Sequence, residues 1–277
     1  MKKTYLLISF AIVQLFASCN ITEKLIINDD GSGKFSYEID GSKIVSLMGD
    51  NFKDIFEDEK KLKKRNKKDG GLKSKKVIDS TFTFKELFAS KQDSILKLST
   101  EEQEKIKKME RFSVRTFVNQ DEGKMGCSIY TDFKSVQELQ EIMSPLQSIK
   151  TISPNSKNNS TGLEMDGLLE NSTTTYYYNG NSFKKTVTKI KKNKEIFKNS
   201  EEDSDSIQNN ALKIKKSFEL FYGQSNYKLV YQFPKVIKKA SLENALFSED
   251  KKTITLEYSF KDYVENPDKL SLEVEFE

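Results

Sequence analysis

Tyr227-Lys228-Leu229-Val230-Tyr231-Gln232-Phe233 decides the fold class, because large apolar side chains stand at every second position. Side chains of a strand point alternately to opposite faces, so this spacing predicts a strand with one buried face and one wet face. The same alternation returns in Ile254, Leu256, Tyr258 and Phe260, and again in Leu270, Leu272, Val274 and Phe276. Upstream, Thr173–Tyr178 and Phe183–Ile190 flank Asn179-Gly180, which predicts a hairpin whose type I′ turn has positive φ at both residues. The last third of the chain therefore reads as antiparallel sheet.

The same logic applies near the start. Leu25 and Ile27 alternate with Lys24 and Ile26, Asp29-Asp30-Gly31-Ser32-Gly33 supplies a turn, and Phe35, Tyr37 and Ile39 alternate with Lys34, Ser36 and Glu38. Val77–Thr83, Phe112–Val118 and Met125–Thr131 read as further strands, with Cys127 facing the core alongside Met125 and Ile129.

Helical spacing fills the gaps. Phe84, Leu87, Phe88, Lys91 and Ile95 share a stripe, as do Val136, Leu139, Met143 and Leu146, up to a stop near Pro145. Ser99 with Glu102, and Ser135 with Glu138, have the spacing of capping boxes. Short helices are expected within Ser42–Phe56, and another from Ile207 to Phe221, ending before Gly223. The reading is an α+β protein: an antiparallel β-sheet with helices packed on one face, after an N-terminal segment of different character. The expected divisions are residues 1–18, 19–150, a Ser/Asn/Gly-rich linker over 151–172, and 173–277, the two larger parts being able to share one sheet.

Composition narrows the function classes. The chain has 46 Lys and Arg against 42 Asp and Glu, a net charge of +4 of which Lys2 and Lys3 supply half. So slight a surplus argues against a nucleic-acid partner, which draws its affinity from counterion release by many cations. With 36% apolar and 32% charged residues the core is lean, and nineteen Phe and eleven Tyr must fill much of it. There is no histidine, so the commonest general base and zinc ligand is missing.

The first nineteen residues carry an address. Lys2 and Lys3 precede the apolar run Tyr5–Phe16, which is shorter than the roughly 20 residues a spanning helix needs. Leu15-Phe16-Ala17-Ser18-Cys19 resembles the lipobox of bacterial lipoproteins, although Phe16 stands where Leu is usual. The resemblance implies removal of residues 1–18 as a signal peptide and acylation of Cys19, which becomes the first residue. Palmitate-type acyl chains on Cys19 would make the membrane a partner and place the protein in the envelope, at the outer membrane facing the periplasm. Cys127 is then left without an intramolecular disulfide partner.

A strand, a DGSG turn and a strand after that cysteine, with Gln232-Phe233-Pro234 before two more strands, resemble uncharacterised bacterial lipoproteins. They are also similar to the LppM-type lipoprotein domain, in which a terminal hairpin joins a C-terminal antiparallel sheet. That resemblance implies that the two ends of the chain share a sheet around an inserted middle, and it implies no known activity.

Motifs for chemistry are sparse. Asn28–Ile39 overlaps an EF-hand loop, but Asn28 and Ile39 replace the first and last carboxylate ligands and the flanks read as strands, so no metal is expected. Lys60, Lys61, Lys63, Lys64, Arg65, Lys67 and Lys68, in the Lys-rich run 60–76, could meet lipid headgroups or anionic glycans, but a solvated loop explains them as well. No Gly-x-Ser-x-Gly elbow is present, Cys127 is expected to be inert, and no pair stands out for a Ser–Lys dyad. Glu164 and Asp166 are carboxylates in a stretch that reads as loop or wet strand face, and Tyr176-Tyr177-Tyr178 could stack on sugars or simply line both faces of a strand. The expectation is a non-enzymatic, lipid-anchored binding or scaffolding module without a cofactor or catalytic residue, taking an envelope protein or a glycan as partner. The alternatives are a carboxylate-dependent glycan hydrolase and a carrier of an amphiphilic ligand.

Overall fold

The computed structural model describes residues 19–42, 77–89, 92–119, 121–146, 172–190 and 223–277. The signal segment, the helices expected before Phe56, the Lys-rich run, Glu164 and Asp166, nearly all of the linker and the helix expected from Ile207 to Phe221 lie outside the described residues.

Twelve strands are described: β1 (Cys19–Ile27), β2 (Gly33–Asp40), β3 (Val77–Thr83), β4 (Ser113–Asn119), β5 (Lys124–Phe133), β6 (Ser172–Tyr178), β7 (Ser182–Lys189), β8 (Asn226–Gln232), β9 (Ile237–Ala240), β10 (Leu246–Phe247), β11 (Thr253–Ser259) and β12 (Leu272–Phe276). The helices among them are α1 (Phe84–Ala89), α2 (Gln92–Ile95), α3 (Thr100–Met109), α4 (Val136–Leu146) and α5 (Phe260–Glu265). The strands form an eight-stranded sheet, ordered β10-β11-β8-β1-β2-β5-β4-β3, and a four-stranded sheet, ordered β6-β7-β12-β9. The fold class expected from alternation is the one observed.

Two features go beyond the pattern. All neighbours are antiparallel except β1 and β8, whose parallel pairing sets Glu23 opposite Leu229 and joins strands from either side of the 151–172 stretch. Helices also do not act alone on the large sheet. The four-stranded sheet is the second covering layer, and both sheets contribute to one continuous core that includes Leu25, Phe35, Leu139, Phe183, Tyr231 and Phe276.

Aromatic rings join the two sheets. Phe183 of β7 meets Tyr231 of β8 edge-on with centroids 5.6 Å apart, and Phe233 lies 5.1 Å from Phe183 and 4.9 Å from Phe276. Such pairs contribute about 0.5–1.5 kcal/mol each beyond their buried area, which suits a chain short of aliphatic residues.

Local signals explain most boundaries. Ser99 Oγ accepts from Glu102 N (3.3 Å) while Ser99 N donates to the Glu102 carboxylate (2.9 Å), the full capping box that starts α3. Ser135 Oγ accepts from Glu138 N at 3.1 Å, but the Glu138 carboxylate turns instead to Lys134 N and to Arg111. The stripe from Phe84 to Ile95 is divided between α1 and α2. Alternation also overran at Phe260 and Leu270. Ser259 caps α5 by accepting from Asp262 N, making Phe260 helical, and Leu270 ends a 3-10 turn.

The second hairpin differs from a type I′ turn. Tyr178 pairs with Phe183, and Asn179 N donates to Ser182 O at 3.2 Å, so Gly180 and Asn181 are the central residues. Gly180 has φ +81°, the positive-φ first position of a II′-type hairpin. Asn179 Oδ1 explains the shift of one residue, since it accepts from Asn181 N (3.0 Å) and Ser182 N (2.8 Å) and so makes Asn179 the turn's first corner.

Candidate functional site

β1 carries Glu23, Leu25 and Ile27 on one face, and all three point into the core; Glu23 is 1% exposed. A carboxylate withdrawn this far from water needs full compensation. Five side chains supply it, and the strand register accounts for each. Tyr37 lies directly opposite Glu23 on β2. Tyr227 and Tyr231 flank Leu229, the residue opposite Glu23 on β8. Tyr176 and Lys185 face each other across β6 and β7 and reach Glu23 from the second sheet.

The carboxylate is evenly loaded. Oε1 accepts from Lys185 Nζ (2.9 Å), Tyr176 OH (3.2 Å) and Tyr231 OH. Oε2 accepts from Lys185 Nζ (2.9 Å), Tyr37 OH (3.3 Å) and Tyr227 OH. Lys185 Nζ also donates to Tyr231 OH at 2.9 Å, and its third donor is therefore used. The Tyr227 ring stacks on Tyr263 of α5 with centroids 4.0 Å apart, which fixes that phenol in place.

Burial pushes the Glu23 pKa upward, but the Lys185 charge and the hydrogen bonds from Tyr227, Tyr231 and Lys185 together hold it below the ordinary carboxylate value. Burial draws Lys185 below the ordinary lysine value, and the Glu23 charge limits that fall. Burial first, and then the Glu23 charge, raise the phenols of Tyr37, Tyr176, Tyr227 and Tyr231 well above their usual value, so they stay protonated donors. A carboxylate accepting this many hydrogen bonds is a poor base. With both charged groups hidden from solvent, the cluster is a clamp between the sheets.

The open feature lies on the other face of the large sheet. An open depression of about 850 Å³ spans β2, β5 and β4 near the end where β1 begins, with Glu38, Asp40, Arg115, Phe117, Lys124 and Gly126 among its lining residues. Its charges are mostly paired: Lys24 with Glu38 (2.7 Å), Arg115 with Asp79 (2.8 Å) and Lys124 with Glu122 (2.6 Å).

The residues singled out by sequence are scattered. Cys19 is the first residue of β1 and is paired with Asn226. Cys127 faces inward as expected but is only half-buried, and burial raises its thiol pKa. The Asn28–Ile39 stretch is a hairpin: Gly31 has φ +80°, Asn28 N donates to Ser32 O, and Asp30 Oδ1 accepts from Ser32 N at 2.9 Å. Of the tyrosine triplet, Tyr176 is buried in the clamp and Tyr177 is 51% exposed. Glu23 and Lys185 belong to no sequence motif, although each shares parity with core residues, Leu25 and Ile27 for one and Phe183 and Val187 for the other.

No family model matches this chain, and no curated protein matches it significantly. Among solved structures, the folded domain of Mycobacterium tuberculosis LppM is similar over 94% of this chain and 91% of that one, at 8% identity and a TM-score of 0.34. Among the described residues no helix is long and apolar enough to cross a membrane.

Proposed function

We propose that this chain is a lipid-anchored envelope protein that acts as a non-enzymatic binding or scaffolding module. The observation that carries the reading is the position of Cys19. It follows the lipobox-like Leu15–Ser18 and is also the first residue of β1, so an acylated Cys19 would hold the folded body directly against a membrane without a tether. Each buried methylene contributes about 0.8 kcal/mol, so two or three acyl chains amount to stable anchoring.

The interior supports a binding role over enclosure of an amphiphile. Phe183, Tyr231, Phe233 and Phe276 fill the space between the sheets where such a ligand would lie. A glycan hydrolase needs two carboxylates facing each other across a cleft, about 5–10 Å apart. Glu23, the buried carboxylate, is instead committed to Lys185.

The test is fractionation of cells producing the wild-type chain or Cys19→Ser, with mass spectrometry of the mature N-terminus. Acyl mass on Cys19 and release of the Ser variant from membranes are expected. An unmodified N-terminus, or a Ser variant as firmly membrane-bound as the wild type, overturns the anchoring.

A further inference from the structure

The depression on the outer face owes its shape to one strand. At outward positions β5 carries Gly126 and Ser128, set between Asp40 and Glu38 of β2 and Phe117 and Arg115 of β4 in direct register. Two small residues flanked by large ones make a trough. At the next outward position of β5 stands Tyr130, with Lys34 Nζ 4.9 Å from its ring centroid.

Gly126 is not there for the backbone's sake. Its φ is not positive, and among the described residues a Cβ built on it would meet only Ile39 O at 3.5 Å, an ordinary contact. Glycine inside a strand weakens it and often marks a place where something approaches closely. The contrast is Gly33 in the adjacent strand, where a Cβ would fall 1.9 Å from Ile26 O and glycine is needed for packing. No contact among the described residues therefore requires glycine at position 126.

Its chemistry does not favour an anion. Glu38, Arg115 and Lys124 are each matched by an opposite charge, so the lining offers no surplus cation for an anionic ligand. Among the described residues pairing leaves hydrogen-bonding capacity unspent: Arg115 uses Nε and Nη2 on Asp79 (2.9 and 2.8 Å), two of its five N–H bonds, and Asp40 Oδ1 accepts from Ser42 N (2.9 Å). Phe117, half-buried, adds an apolar wall. Polar groups of both hands around an aromatic ring suit a ligand with many hydroxyls and a C–H face, and the volume falls within the roughly 300–1,000 Å³ of small-ligand sites.

We infer that the Gly126 trough is a binding site for a short neutral saccharide. The inference rests on the reading of the chain as a binding module and names the ligand class of that module. The experiment is saturation-transfer NMR on the full chain with maltotetraose, cellotetraose and tetra-N-acetylchitotetraose, and with a hyaluronan tetrasaccharide as the anionic comparator. At least one neutral sugar is expected to receive saturation. Gly126→Leu should lower that signal at least tenfold without lowering the melting temperature, with Gly126→Ser intermediate. Arg115→Gln, at an exposed position, is the second variant and should weaken the signal while the fold is kept. Silence from all three neutral sugars, a response from hyaluronan alone, or wild-type signal in folded Gly126→Leu and Arg115→Gln overturns the inference. Membrane release of Cys19→Ser is a separate readout, so a chain that is anchored yet deaf to sugars loses this site and keeps its placement.

Discussion

Lys185 Nζ lies 2.9 Å from both carboxylate oxygens of Glu23, a residue 162 positions away, and the bond crosses from one sheet to the other. An ion pair so deeply withdrawn is rarely a net source of stability compared with well-packed apolar groups. Losing one partner is what costs, because the other is stranded without water. Glu23→Gln or Lys185→Met should each lower unfolding free energy by about 3–5 kcal/mol. The double variant Glu23→Gln/Lys185→Met should lose less than the sum of the two single changes. Urea titrations of the four proteins measure this, and strictly additive losses would show that the pair is not coupled.

The acid limb of the stability curve follows from the same pair. The folded pKa of Glu23 lies below its unfolded value of 4.5. Its contribution is therefore complete above the unfolded value and fades as pH falls through the folded one. The stability gap between wild type and Glu23→Gln should stay constant from about pH 7 to pH 5 and narrow below about pH 4. Chemical denaturation across that range checks it, and a gap that widens with acid contradicts the assignment.

The strand alternation that predicts the sheets also contained this clamp, but only half of it could be read. Parity places Glu23, Lys185, Tyr227 and Tyr231 on inward faces. Nothing local says that they meet, since β1 finds β8 through a parallel pairing that joins distant stretches of chain. Polar residues such as Thr22-Glu23-Lys24 look like the wet end of a strand until the partner is known. Short-range chemistry fared better: Ser99 with Glu102 and Asn28 to Ser32 act within a few residues, and there the sequence holds every participant. The Asn179-Gly180 turn slipped because a side-chain acceptor outweighed the dipeptide's usual preference. Gly126 was invisible as a site for a different reason, since a trough is defined by the neighbours across the sheet.

Gln140 makes a prediction at the edge of the smaller sheet. From α4 its amide accepts from Tyr176 N (2.9 Å) and donates to Thr174 O (3.0 Å), acting as a partner strand would for β6. Gln140→Ala should cost about 1–3 kcal/mol for two backbone groups left without that partner. Amide exchange at Tyr176 should accelerate by at least tenfold while amides in β11 stay protected. Unchanged exchange at Tyr176 would mean that water replaces the glutamine without penalty.

Two glycines in neighbouring strands should respond oppositely to the same substitution. Gly33→Ala places a Cβ 1.9 Å from Ile26 O and 2.4 Å from the Phe133 ring, so backbone in β1 or β2 must move. Overpacking of this kind costs about 1–3 kcal/mol and can cost more where backbone is the obstacle. Gly126→Ala meets only an ordinary 3.5 Å contact, and it removes the conformational freedom that glycine gives the unfolded chain. It should be neutral or stabilising by up to about 1 kcal/mol. Thermal melts of both variants decide the matter. A Gly126→Ala protein as damaged as Gly33→Ala would show that Gly126 is held by packing, and the trough would then be a by-product of the fold.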